Sequence, residues 1–315
     1  MRALRSFVAF VVVLTAVAIT SKAQLSEAAR GAVRIENGYE VVPNITYYVA
    51  NNFEAKLDIY RPSVAKNPVP VVIMIHGGGW VGNAKEKAVL DLIPYQEMGF
   101  AVVNVEYRLA KVSPAPAAVE DCLCALHWIG RNAKQYSFDL NKIVVTGKSA
   151  GGHLALTTAM IPSSAGFDNG CVHADDPDWT GPWTDVRPRV AAVINWFGIT
   201  DVADMLHGQN MRSYALSWLG NGPDREDLAK RVSPLTYVRA GLPPILTVHG
   251  DSDRTVPYSN ATRLHEALNK AGVKNQLVTI RGGDHGDFTP EQEIQAFQAI
   301  HSFLADLGIS PVVKQ

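Results

Sequence analysis

The stretch Gly147-Lys148-Ser149-Ala150-Gly151-Gly152 constrains this chain more than any other. It follows an apolar run, Ile143-Val144-Val145-Thr146, and precedes a helix-like one, His153 to Met160. A short continuous apolar run bounded by a turn reads as a strand buried on both faces. The hexapeptide then reads as a sharp strand-to-helix turn with a serine at its apex, a nucleophile elbow. Glycines flank the serine because side chains there would meet the adjoining strand and helix. Such a turn belongs at the carboxyl edge of a parallel sheet covered by helices.

The remaining pattern agrees. Tyr39 to Val49 and Phe53 to Tyr60 read as antiparallel strands joined by Asn51-Asn52. Val71–Ile75, Phe100–Tyr107, Val190–Phe197, Ile245–His249 and Gln276–Arg281 complete eight strands with the one before the elbow. Helical stretches lie between them: Lys85–Met98, interrupted by Pro94, then Pro116–Tyr136, Ser259–Ala271 and Pro290–Leu307. The alternation predicts an α/β fold, a mostly parallel eight-stranded sheet with helices on both faces. Two insertions interrupt it, at about 161–188 and 201–234, the second with short helices over Arg212–Leu219 and Asp224–Val232. Little room is left between Gln24 and Tyr39 for a helical N-terminal cap.

At 315 residues and 47% hydrophobic composition, the chain can bury one large α/β core, with 24–315 as the domain. A net charge of −1 offers no basic field for nucleic acid. Residues 1–23 read as a signal peptide: Arg2 and Arg5, an apolar run from Phe7 to Ile19, then Ser21-Lys22-Ala23 before the cut. The apolar run is short for a membrane span. Its removal shifts the net charge to −4 and places the protein outside the cytoplasm, secreted or periplasmic. Three cysteines in an exported chain imply one bridge and one free thiol. Cys122 and Cys124 face different ways on one helix, which favours Cys124–Cys171. Asn44-Ile45-Thr46 and Asn260-Ala261-Thr262 match the glycosylation signal of a eukaryotic secretory route.

If Ser149 is a nucleophile, it needs a base and a carboxylate to orient that base. His285, in Gly282-Gly283-Asp284-His285-Gly286-Asp287 after the last strand, is the expected base. Asp251 and Asp253, after the strand ending at His249, are both candidates for the acid. The loop His76-Gly77-Gly78-Gly79-Trp80 follows a strand, and consecutive glycines let N–H groups converge on an oxyanion. Gly78 and Gly79, with Ala150 behind the serine, are the expected donors. Trp80 and His153 are candidates to line the substrate site, with structural packing the equal alternative for His153, and His76 is placed to tie down the glycine loop. No cofactor or metal is required; Asp175, Asp176 and Asp178 read as a solvated acidic loop.

With these residues in hand, the chain resembles the α/β-hydrolase superfamily, and within it the hormone-sensitive-lipase-type and bacterial feruloyl/acetyl esterase-like proteins. HGGGW at 76–80, GKSAGG at 147–152, HGDSDRTVP at 249–257 and GGDHGDF at 282–288 occur in the family's order. The resemblance implies that Asp253, second of its D-x-D pair, is the acid. It implies a serine carboxylesterase acting through an acyl-enzyme on short-chain acyl esters, acetyl or feruloyl esters of plant polysaccharide among them. A peptidase, amidase or arylformamidase of the same fold is the alternative, because a triad alone does not separate esters from amides. Lys148 departs from the acid common before the serine in lipase-type members.

Overall fold

The computed structural model describes residues 26–65, 67–171 and 187–309. The expected signal peptide (residues 1–23), Asp175, Asp176, Asp178 and most of the first insertion lie outside the described residues.

Alternation along the central strands sets the architecture. Val71, Ile73 and Ile75 enter one apolar cluster, while Val72 and Met74 enter another on the opposite face. The strands are β1 (Tyr39–Ala50), β2 (Phe53–Pro62), β3 (Val69–Ile75), β4 (Ala101–Val105), β5 (Phe138–Lys148), β6 (Val190–Trp196), β7 (Ile245–Gly250) and β8 (Asn275–Ile280). They form one sheet in the order β1-β2-β4-β3-β5-β6-β7-β8. β1 and β2 are antiparallel, as is the β2–β4 pair; every pair from β4 to β8 is parallel. Parallel strands are buried on both faces, which explains their nearly unbroken apolar runs.

The helices are α1 (Glu27–Gly38), α2 (Ile93–Glu97), α3 (Ala117–Tyr136), α4 (Ala150–Met160), α5 (Ser213–Leu219), α6 (Arg225–Arg231), α7 (Ser259–Lys270) and α8 (Pro290–Asp306). α3, α4 and α7 contribute to the first cluster, α2 and α8 to the second. Lys85–Leu92 forms a 3₁₀ segment before α2, with Pro94 in the first turn of α2. Proline is tolerated there because that N–H has no intrahelical partner to lose.

α1 corrects the sequence reading, which left no helix before β1. Ser26 caps it, its hydroxyl accepting from Ala29 N at 3.1 Å. It packs on α2, with Arg34 3.6 Å from Glu97, and none of its residues lines the cavity at Ser149. Among the described residues no large cap is evident. Cys124 on α3 and Cys171 are bonded through sulfur, Cα atoms 4.8 Å apart, and Cys122 is a buried free thiol. Asn260, in one of the two glycosylation signals, is 1% exposed. Its amide oxygen accepts from Thr200 N at 3.0 Å, so that signal is closed to modification.

Candidate active site

Four neighbouring strand ends meet here. β3 delivers the glycine loop, β5 delivers Ser149, β7 delivers Asp253 and β8 delivers His285. In sheet order only β6 intervenes between β5 and β7. Residues 209 positions apart in sequence therefore converge because the carboxyl ends of parallel strands share one edge.

The elbow is tight. Ser149 has φ 58° and ψ −120°, a backbone most side chains avoid. Its N–H donates to Trp196 O at 2.9 Å, and its carbonyl accepts from His153 N at 3.0 Å. A Cβ on Gly151 would lie 2.1 Å from Ile75 O, so the helix packs against β3 only with glycine there.

His285 Nε2 lies 2.8 Å from Ser149 Oγ, and His285 Nδ1 lies 2.7 Å from Asp253 Oδ2. The Phe197 ring meets the imidazole edge-on, centroids 4.8 Å apart. Asp253 is 8% exposed. Its Oδ1 accepts from Thr255 N and Val256 N, both at 2.8 Å. His249 Nε2 stands 3.3 Å from Oδ2. Burial alone would raise the pKa of this carboxyl. The hydrogen bonds from His249, His285 and Val256 N–H outweigh burial and hold it well below the usual carboxylate range. It is thus an anion aimed at the imidazole. Asp251 takes a different part: its Oδ1 accepts from Gly282 N at 2.7 Å, tying the β7 loop to the β8 loop.

Gly78 has φ 116° and Gly79 φ 60°, the left-handed backbone that turns the loop toward Ser149. Both line a cavity of about 510 Å³ with Ser149 and His285. Neither N–H donates to a main-chain carbonyl among the described residues. Ala150 begins α4 directly behind the serine, where helix N–H groups lack intrahelical partners. His76 anchors the loop: Nδ1–H donates to Gly77 O at 2.8 Å and the ring stacks on Tyr107 at 4.2 Å. Burial lowers its pKa to about 4, so it stays neutral.

Trp80 and His153 do not line the cavity; both are fully buried, which corrects the lining role for Trp80 and selects the packing alternative for His153. Trp80 Nε1–H donates to His153 Nδ1 at 3.2 Å, and His153 Nε2–H donates to Val232 O at 2.7 Å. Trp80 stacks on Trp218 of α5 at 4.2 Å. They are buried because the second insertion folds down onto them. The apolar walls come instead from Val81, Trp196, Phe197, Tyr214 and Phe288. Tyr214 had no motif to mark it, and Phe288 closes the GGDHGDF motif without having been assigned a role. Lys148 also lines the cavity; its Nζ is 2.8 Å from Asp91 Oδ1 and 5.6 Å from the Trp196 ring centroid.

A family model described as BD-FAE matches residues 57–268, more than half of the chain, and one described as TAP-like protein matches 226–311. Carboxylesterase NlhH of Mycobacterium tuberculosis is 36% identical over 237 residues, covering 72% of this chain and 69% of that protein. Esterase LipQ of the same organism is 29% identical over 70% of this chain, but this chain spans only 51% of LipQ. Among solved structures, a truncated form of carbohydrate esterase from gut microbiota is 27% identical with a TM-score of 0.71, covering 86% of this chain and 98% of that one.

Proposed function

The chain belongs to the BD-FAE family of α/β hydrolases, and from that premise we propose that it is a serine carboxylesterase working through an acyl-enzyme. The observation that carries the reading is the unbroken chain Ser149–His285–Asp253, at 2.8 and 2.7 Å, opening into a cavity edged by Gly78 and Gly79. Ser149 Oγ attacks the ester carbonyl as His285 Nε2 takes its proton. The N–H groups of Gly78, Gly79 and Ala150 hold the oxyanion; losing one such donor costs about 3 kcal/mol in the barrier. His285 then protonates the departing alcohol and activates water for deacylation. Asp253 fixes the imidazole tautomer and stabilises its positive charge.

The substrate class in this reading is a short-chain acyl ester, acetyl or feruloyl, carried on a polysaccharide. The likeness to the carbohydrate esterase from gut microbiota supports it. Export is part of the same reading, supported by the leader-like residues 1–23 and by a disulfide suited to an oxidising compartment. N-terminal sequencing of the protein recovered outside the cytoplasm should begin at Gln24.

The deciding experiment is a 4-nitrophenyl ester series from acetate to palmitate beside acetylated and feruloylated xylan and a peptide anilide. The expected order favours the short esters and xylan esters over palmitate and anilide. Ser149→Ala should abolish turnover of all of them. Retained hydrolysis by that variant, or faster cleavage of the anilide, would refute the mechanism or its ester preference respectively.

A further inference from the structure

A second cavity of about 700 Å³ lies beside the catalytic one, between α2 and α8, and Glu293 lines both. The wall between them is aromatic. Trp196 lines the first, Phe297 lines the second, and their ring centroids are 5.1 Å apart.

The direction of the reaction says which part of a substrate would reach it. The leaving alcohol must sit where His285 can protonate it, so it departs on the imidazole side. Gly286, Phe288 and Glu293 continue the cavity wall from His285 toward α8. Val81 and Tyr214 lie with the glycine loop and the insertion, leaving that side for the acyl group.

The lining says what the alcohol carries. Phe297, Met98 and Ile294, the last 58% exposed, offer an apolar floor. Glu97, Glu293, Gln298, His301 and Ser302 place hydrogen-bonding groups around it, and no lysine or arginine lines it. An anionic group would meet the carboxylates of Glu97 and Glu293 with no lysine or arginine to offset them. Glu97 is already paired with Arg34, but the Glu293 carboxylate has no hydrogen bond or ion pair among the described residues. A plain alkyl chain would cover that carboxylate and leave it unsatisfied, which is costly. A sugar ring has an apolar C–H face and hydroxyl donors at its edge, and suits both features.

We propose that this second cavity is a subsite for a neutral glycosyl unit on the leaving alcohol, its face against Phe297 and Ile294 and its hydroxyls donating to Glu293 and Gln298. The proposal rests on the esterase reading and adds where the carbohydrate sits.

The test compares wild type with an Ile294→Ala/Gln298→Ala double variant, both exposed positions on α8 that tolerate alanine. The probes are O-acetylated xylo-oligosaccharide, 4-nitrophenyl acetate, octyl acetate and acetylcholine. The ratio of kcat/KM for the oligosaccharide ester to that for 4-nitrophenyl acetate should fall roughly fivefold, the worth of one hydrogen bond, and through KM. An unchanged ratio in an active variant would overturn the subsite and leave the esterase reading standing. Wild-type preference for octyl acetate or acetylcholine over the oligosaccharide ester would overturn its glycosyl character. Failure of wild type on every ester would instead defeat the esterase reading itself.

Discussion

Ser149 holds a backbone that costs of order 1–3 kcal/mol, retained because the strand and helix on either side leave the turn no other course. Ser149→Gly should therefore raise the melting temperature slightly while removing activity, a trade visible in a thermal melt. Asp253→Asn should lower kcat by about 10⁴, since an amide there favours the wrong imidazole tautomer. Asp251→Asn should leave kcat near wild type, because its contact is with Gly282 N and not with His285. The buried histidines make a separate pH prediction. Burial lowers the pKa of both His76 and His153 from 6.5 to about 4. At His153 a second ring proton would face the Trp80 N–H, donor against donor. Between those values the unfolded chain binds more protons than the folded one, so stability is full above pH 6.5 and falls toward pH 4. Each histidine accounts for roughly 3 kcal/mol across that window. Chemical denaturation of wild type and His76→Gln from pH 7 to pH 4 should show a shallower loss in the variant.

At the scale of elements, the second insertion is pinned to the β7 loop. Arg212, just before α5, donates through Nε to Thr255 O at 2.8 Å and through Nη2 to Arg254 O at 3.0 Å. Tyr214 on α5 reaches Thr255 O at 3.3 Å. Thr255 and Tyr214 both line the catalytic cavity, and Thr255 N also donates to Asp253 Oδ1, so the clamp shapes the substrate side and braces the loop that holds the triad acid. Arg212→Ala should raise KM several-fold for short esters and lower kcat as well, read from steady-state kinetics. The Cys124–Cys171 bridge ties α3 to the segment after α4, closing a loop with a sequence separation of 47. Chain-entropy reasoning gives such a loop roughly 4 kcal/mol. Reduction, or Cys171→Ala, should lower the melting temperature, with Cys122 staying unreactive because burial pushes its thiol pKa well up. α1 shows where element-level reading failed. Its sequence EAARGAVRIENG is amphipathic but polar overall, and its partner α2 lies over 50 residues further on.

At the scale of the molecule, the fold and the line of the triad were legible because parallel strands carry their chemistry at their carboxyl ends. Ser149, His285 and the glycine loop each stand just past an apolar run, so local pattern placed them. Asp253 needed the resemblance, since Asp251 stands equally close to β7; only the 2.7 Å contact with His285 Nδ1 separates the two. Trp80 was misplaced, and His153 left open between lining and packing, because nothing local says that α5 would bring Trp218 against them. Tyr214, Phe288 and Glu293 reach the cavity from an insertion, a loop and a helix whose docking is a long-range packing outcome. The sequence by itself thus determined the sheet, the elbow and the order of the reacting groups, which follow from periodicity and turn chemistry within short windows. Only the tertiary structure decided which aspartate faces the histidine, which aromatics wall the cavity and where the second cavity opens. Those depend on side chains meeting across elements far apart in the chain.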